Sequence, residues 1–313
     1  MHRIGYLLTD GFQMLALGTQ SVFEFANEVL PQPFYTVGQY ALEAGGVRSS
    51  MGVTVSCTPV AAAGRLDTLV VLGVTDPLGK PTPPNLVDYL RQHDDQWRRV
   101  AGICTGAFIL GEAGMLDGRR ATTHWAYGRT LQARHPGATV EEDRIHIVDG
   151  PIWTSAGMTA GLDLALALVE KDLGNDVART VAHKMVMHQR RAGGQTQHSE
   201  LLQLSPKSDR IQNALNHARK NLHRAVSVEE LAESANLSPR QFSRVFTAET
   251  GQSPAKALEG LRLEAARLLI EQSRHPLEIV ARETGFRDRR HLREAFVRGF
   301  GVPPQALRRA ARV

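Results

Sequence analysis

Cys104 stands in Gly102-Ile-Cys-Thr-Gly106, where an apolar run gives way to small, glycine-flanked residues. That spacing predicts a nucleophile elbow, with strand before, sharp turn at the corner, helix after, and cysteine where hydrolases place serine. A cysteine at such a corner sits at a helix N-terminus, whose partial positive charge favours thiolate. His124 follows twenty residues later in Thr-Thr-His-Trp, and a Cys–His pair can perform nucleophilic chemistry. Gly73 and Val74, with the backbone N–H of Thr105, offer a nest for an oxyanion. Plainer readings stand beside these. Cys104 can line a ligand pocket without turnover, pack as a vestige or sense oxidation; His124 can be a hydrogen-bonded structural histidine; Gly73 can simply let a loop turn. Cys57 lies in an apolar strand context and reads as a packed small hydrophobe. The twelve histidines show no metal-ligand spacing, His183 and His188 reading as helical surface or core, and no P-loop is present. Neither a metal nor a cofactor is expected.

Arginines form the second group with chemistry to offer. The stretch Ser227–Pro254 and the stretch Pro276–Pro304 align so that Phe242 falls on Leu292, Phe246 on Phe296, Gly251 on Gly301 and Pro254 on Pro304, a constant offset of 50. A fixed offset signals internal duplication. Each copy reads as helix, tight turn, helix. Ser227 with Glu230 three residues on has capping-box spacing, the turn lies at Asn236-Leu237-Ser238, and Ser238 with Pro239 starts the next helix. On that helix Phe242, Val245 and Phe246 share one side. Arg240, Gln241, Ser243, Arg244 and Thr247 are left to read DNA. In the second copy Leu292, Ala295 and Phe296 point inward, leaving Arg289, Arg290, Arg293 and Glu294 outward.

Between the copies, Ala255 to Ser273 is an alanine- and leucine-rich helical run with Arg262, Glu264, Arg267 and Glu271 at its polar positions. At roughly 28 Å it can hold two readers about one DNA turn apart. The Arg-Leu-Glu-x-Ala-Arg of Arg262–Arg267, the Val-Ala-x-x-x-Gly-Phe of Val280–Phe286 and the Phe-Gly-x-x-Pro of Phe300–Pro304 resemble the AraC family of transcription regulators. The resemblance covers about the last hundred residues and implies sequence-specific binding of double-stranded DNA. Charge agrees: residues 205–313 hold 20 Lys+Arg against 12 Asp+Glu, net +8, whereas residues 1–204 hold 17 against 20, net −3. The positive excess belongs to the part that must meet phosphate.

The elements that must position the elbow come earlier. Ile4–Leu8 reads as a buried strand, Ser21–Asn27 as a helix, Phe34–Gln39 and Val53–Ser56 as further strands. Leu69–Gly73 is a continuous apolar run ending in glycine, as a central parallel strand does. A loop over Thr75–Pro84, a helix over Leu86–His93 and a strand over Arg99–Ile103 follow, and this alternation argues for α/β architecture with a parallel sheet. Leu162–Glu170 and Val177–Met187 read as helices, the second carrying Met185 and Met187. Ala101–Trp125 looks like the DJ-1/PfpI group of the class I glutamine-amidotransferase-like superfamily, and more specifically like GlxA-type regulators, which join that domain to an AraC-type reader. Trp153–Asp163 and Arg191–Gln195 match the same pattern. The resemblance implies a flavodoxin-like parallel sheet in which the elbow cysteine is catalytic, senses oxidation or lines a pocket. Enzymatic relatives place a carboxylate near that cysteine from the turn after the first strand; here Ala16 falls at that position and Asp10 is offset from it.

A chain of 313 residues fits two domains rather than one. The expected division is a DJ-1/PfpI-like effector or dimerisation domain over 1–192, a linker over 193–207 and an all-α domain with two helix-turn-helix units over 208–313. Two cysteines do not suggest a disulfide framework. With no apolar run of membrane length and no signal-peptide region, a cytoplasmic protein is expected. The reading is a transcription regulator controlled by an unidentified small-molecule effector, with a homodimer and contact with RNA polymerase as further expectations. The rivals are a Cys104-dependent amidase or hydratase carrying a DNA-binding domain, and an N-terminal domain that only dimerises.

Overall fold

A computed structural model describes residues 1–187, 191, 193, 197, 204, 206 and 208–310. Most of the expected linker, His188, and Ala192, Gly194 and Gln195 of the Arg191–Gln195 segment lie outside the described residues. The chain divides into two compact units, Met1–Gly193 and Gly194–Val313.

The first unit alternates strand and helix: β1 (His2–Leu7), α1 (Met14–Leu17), α2 (Gln20–Val29), β2 (Tyr35–Ala41), β3 (Gly45–Arg48), β4 (Thr54–Pro59), β5 (Thr68–Leu72), α3 (Pro84–Gln92), β6 (Arg99–Ile103), α4 (Gly106–Glu112), β7 (Arg120–Ala121), α5 (Gly128–Arg134), β8 (Thr139–Val140), β9 (His146–Asp149), β10 (Ile152–Ser155), α6 (Met158–Leu173) and α7 (Asn175–Lys184). The main sheet runs β3-β4-β2-β1-β5-β6-β10-β9. From β4 to β10 its neighbours are parallel, with β3 and β9 antiparallel at the edges. The central order β2-β1-β5-β6-β10 is the flavodoxin-like one. β5 is buried along its length because both its faces are covered: Val70 and Leu72 join the side packed by α2, α6 and α7, while Leu69 and Val71 join the side packed by α3 and α4. Alternation of side chains across the strand splits them this way.

The fold of this unit departs from the sequence-based expectations at several points. β3, Gly-Gly-Val-Arg, was not anticipated, because two glycines weaken any strand signal. α6 starts at Met158, ahead of the expected Leu162. Its Gly161 disguises the helix, yet a Cβ there would lie 2.9 Å from Ile103, so the helix needs glycine to approach the sheet. α7 stops at Lys184, short of Met187, where Val186 takes a φ of 54°; Met185 and Met187 pack onto the unit's own core.

The second unit is helical: α8 (Asp209–Lys220), α9 (Val228–Ser234), α10 (Pro239–Thr250), α11 (Pro254–Gln272), α12 (Leu277–Glu283), α13 (Arg289–Phe300) and α14 (Pro304–Ala310). Two cores form side by side. Phe242 and Phe246 gather Ile211, Leu215, Leu231 and Leu258; Leu292 and Phe296 gather Leu263, Val280, Phe286 and Leu307. α11 therefore gives its first half to one core and its second half to the other. The duplication extends to helix ends, since Ser238 and Asp288 cap α10 and α13 and Gly251 and Gly301 end them with φ of 75° and 70°. Left-handed backbone of this kind favours glycine.

Candidate functional site

β6 ends at Ile103 and α4 begins at Gly106, leaving Cys104 on the corner with φ 56°. That is left-handed backbone, which for a non-glycine residue costs about 1–3 kcal/mol. The corner is held from three sides: the Cys104 amide donates to Ser155 O (3.2 Å), the Thr123 hydroxyl donates to Cys104 O (2.9 Å) and the Thr105 hydroxyl donates to Val74 O (2.6 Å). A Cβ on Gly106 would lie 2.4 Å from Val71 O, so glycine there lets the helix start against β5. The expected elbow is thus formed as strand, strained corner and helix.

The thiol itself departs from expectation. Cys104 is only 1% exposed, and burial pushes its pKa up to about 11, the amide and hydroxyl of Thr105 offsetting this only in part. The helix terminus does not deliver a thiolate at neutral pH, because desolvation of the charged form outweighs it. Gly73 packs directly on the elbow: a Cβ there would lie 2.2 Å from Thr105 Oγ1, 2.6 Å from Gly106 N and 2.7 Å from Thr105 N, so the two segments can approach this closely only with glycine at 73. The contact is one of packing, and it leaves no open space on this side of Gly73 for an oxyanion beside the Thr105 and Gly106 amides. The Gly73 carbonyl is turned the other way, accepting from Gln13 N at 3.0 Å.

His124 is half-buried. Its Nδ1 accepts from Ala126 N (3.3 Å), and its ring lies near Trp125 and Tyr127 and above Gly157, where a Cβ would sit 3.3 Å from Cδ2. These contacts suit a histidine that ends one segment and starts a turn. Ala16, in α1, is fully buried, so the position at which the resemblance leads one to expect a carboxylate in an enzyme holds a methyl group. A cleft of about 320 Å³ opens elsewhere on the carboxyl edge of the sheet, between Thr9 and Asp10 after β1, Glu43 at the β2–β3 turn, Gly46 in β3, and Asn85 in α3. Cys104, His124, Gly73, Val74 and Thr105 are not among its walls. Cys57 is buried among core residues, and among the described residues no group of His, Cys, Asp and Glu could hold a metal.

In the second unit Arg240, Gln241 and Arg244 are exposed on α10, with Ser243 half-buried; Arg289, Arg290, Arg293 and Glu294 are exposed on α13. Gln241 also serves the helix: it closes a capping box with Ser238. The box expected at Ser227 is only half made. Ser227 accepts from Glu230 N, but the Glu230 carboxylate goes to His217 (2.7 Å) and Arg224 instead. Arg262 and Arg267 are likewise not free polar positions. Arg262 donates to Arg224 O (3.0 Å), and Arg267 is 5% exposed with its guanidinium 4.9 Å over the Phe300 ring.

Residues 23–171 match the DJ-1/PfpI family and residues 231–310 a helix-turn-helix domain family. The HTH-type transcriptional regulator GlxA of Rhizobium meliloti (strain 1021) is 30% identical over 99% of this chain and 96% of its own length. An isonitrile hydratase from Pseudomonas putida is 44% identical, over 30% of this chain and 40% of that protein. The crystal structure of an AraC family transcriptional regulator from Pseudomonas putida superposes with TM-score 0.53 at 24% identity, over 59% of this chain and all of that one. This chain belongs to the GlxA-type transcriptional regulators, in which a DJ-1/PfpI domain is joined to an AraC-type DNA-binding domain.

Proposed function

We propose that this DNA-binding transcription regulator is controlled by a small molecule bound at the elbow of its N-terminal unit, without turnover. The observation that carries the reading is the combination of a strained, tightly held corner at Cys104 with a fully buried alanine at position 16. Strained backbone persists where its surroundings over-determine it and clusters at ligand sites, while the missing carboxylate and the neutral thiol remove the proton handling that catalysis needs. We take residues 1–192 as the effector domain and 208–313 as the reader, with Arg240, Gln241, Ser243, Arg244, Arg289, Arg290, Arg293 and Glu294 facing DNA.

A homodimer, contact with RNA polymerase and a cytoplasmic location complete the proposal. Among the described residues no helix is long and apolar enough to cross a membrane. The test is a thermal-shift screen of small metabolites on the full chain. A ligand that binds only the folded form raises the melting temperature by mass action, and the shift should be lost or reduced in Cys104→Ser, which removes the thiol and keeps its size. If every hit stabilises the variant equally, the elbow is not the site.

The hydratase reading is favoured by the 44% identity to the isonitrile hydratase over 95 residues. Turnover of an isonitrile by the wild-type protein, abolished in Cys104→Ala, would establish it.

A further inference from the structure

The two reading helices place different charge at matching positions. Arg240 of α10 and Arg290 of α13 are related by the offset of 50; one helical turn later α10 has Arg244 where α13 has Glu294. In α13 the Arg290 Nε donates to Glu294 Oε1 at 2.9 Å, and Arg289 reaches Glu278 of α12 at 3.2 Å. In α10 Arg240 and Arg244 are both exposed and pair with no carboxylate among the described residues.

Like charges one turn apart oppose a helix by a few tenths of a kcal/mol. α10 therefore carries uncompensated positive charge that an anion relieves. A carboxylate on a DNA-facing surface behaves oppositely. It is repelled by every phosphate and meets a favourable partner only where a base edge donates, as the cytosine N4 amino group does in the major groove. The exposed pair that holds Glu294 is itself worth only about 0–1 kcal/mol, so it opens readily when better partners arrive. Until then it keeps Arg290 from settling on phosphate.

We propose that the Arg290–Glu294 pair makes α13 the base-discriminating helix, Arg290 donating to guanine O6 and N7 and Glu294 accepting from a cytosine N4 amino group, while Arg244 at the matching position of α10 supplies sequence-tolerant, salt-sensitive affinity. The inference rests on the DNA-binding reading of this family and assigns the second half-site a G·C pair that the first does not require.

The experiment uses the full-length chain. A randomised duplex library is enriched on the wild-type protein, and the selected duplex, all its single-base-pair variants and an unrelated duplex are then titrated at several salt concentrations with wild type, Glu294→Gln and Arg244→Ala. In Glu294→Gln, discrimination should fall about tenfold at one G·C position, with affinity for the unrelated duplex unchanged or raised and helix content unaltered. Arg244→Ala should weaken binding to all duplexes alike and reduce the log–log salt slope by about 0.9. A Glu294→Gln protein that keeps the whole discrimination profile overturns the proposal, as does Arg244→Ala losing preference at one position only. If wild type enriches no sequence, the proposal and the sequence-specific reader fall together, a result distinct from an enriched site indifferent to Glu294.

Discussion

At the scale of single residues, the elbow separates what a motif specifies from what its surroundings decide. Glycines at 102 and 106 around Cys104 were enough to anticipate the corner, because only small residues fit where a helix starts against β5, and Gly106 would clash with Val71 O if it carried a Cβ. The state of the thiol was not legible, since it depends on burial by residues far apart in the chain. With its pKa pushed up to about 11, Cys104 is a neutral thiol at pH 7. In a Cys57→Ala background, alkylation of the folded protein should be slow at neutral pH and accelerate as pH rises towards 11, lagging the unfolded chain throughout; a rate that is already maximal at pH 8 would contradict the burial argument. Turnover is tested on the same residue. General acid–base help is worth about 10²–10⁴-fold in rate, so a site with Ala16 in place of a carboxylate should show no steady hydrolysis or hydration of amides, nitriles or isonitriles. Ala16→Asp, with folding checked by its melting curve, asks whether that carboxylate is the only missing part. Activity gained there and lost again in the Cys104→Ala double variant would say that it is.

Elements were legible where local pattern dominates. The apolar run of β5, the strand Arg99–Ile103 and the repeated reader helices all appear as expected, because buried runs, N-caps and C-terminal glycines are written in consecutive residues. What escaped is long-range pairing: the Glu230 carboxylate goes to α8 and Arg224, not back to its own cap, and the charged network at the amino ends of the strands left no local trace. There Arg99 donates to Asp172 at 2.7 and 2.9 Å and to Thr68, Arg98 adds a bond of 2.8 Å to Asp172, and His2 and Tyr35 complete the cluster. β2, β1, β5 and β6 are thereby tied to the end of α6. Asp172 and Arg99 are almost fully buried, their side chains 3% and 7% exposed, and removing one partner of a buried pair typically costs about 3–5 kcal/mol. Asp172→Asn should lower stability by that order at pH 7, read from the urea midpoint. Burial alone would raise the Asp172 carboxyl, but the hydrogen bonds and charge of Arg99, then Arg98, hold it below the ordinary range. A depressed carboxyl contributes stability that is present above its unfolded pKa of about 3.9 and lost as pH falls through the folded value. The gap between wild type and Asp172→Asn should therefore narrow below pH of about 4, and a gap that stays constant to low pH would show that the loss is one of shape rather than charge.

For the whole molecule, the division of charge is the feature that sequence alone made plainest. Net +8 on residues 205–313 against −3 on residues 1–204 assigns the attraction for phosphate to the second unit, since a unit of negative charge gains nothing from approaching DNA. Among the described residues, the clusters around Tyr6 and Phe108 draw on residues before 188 and those around Phe242 and Phe296 on residues after 203. Sites with no shared partners act independently to within about 0.5 kcal/mol. Full-length Cys104→Ser should accordingly bind the selected duplex within about twofold of wild type when no effector is present, with the same salt dependence. Its response to any compound found in the thermal-shift screen is what should change. A folded Cys104→Ser protein that no longer binds the duplex would mean that the elbow sets the reader's resting state, and the regulator would then be one whose effector releases a pre-existing restraint.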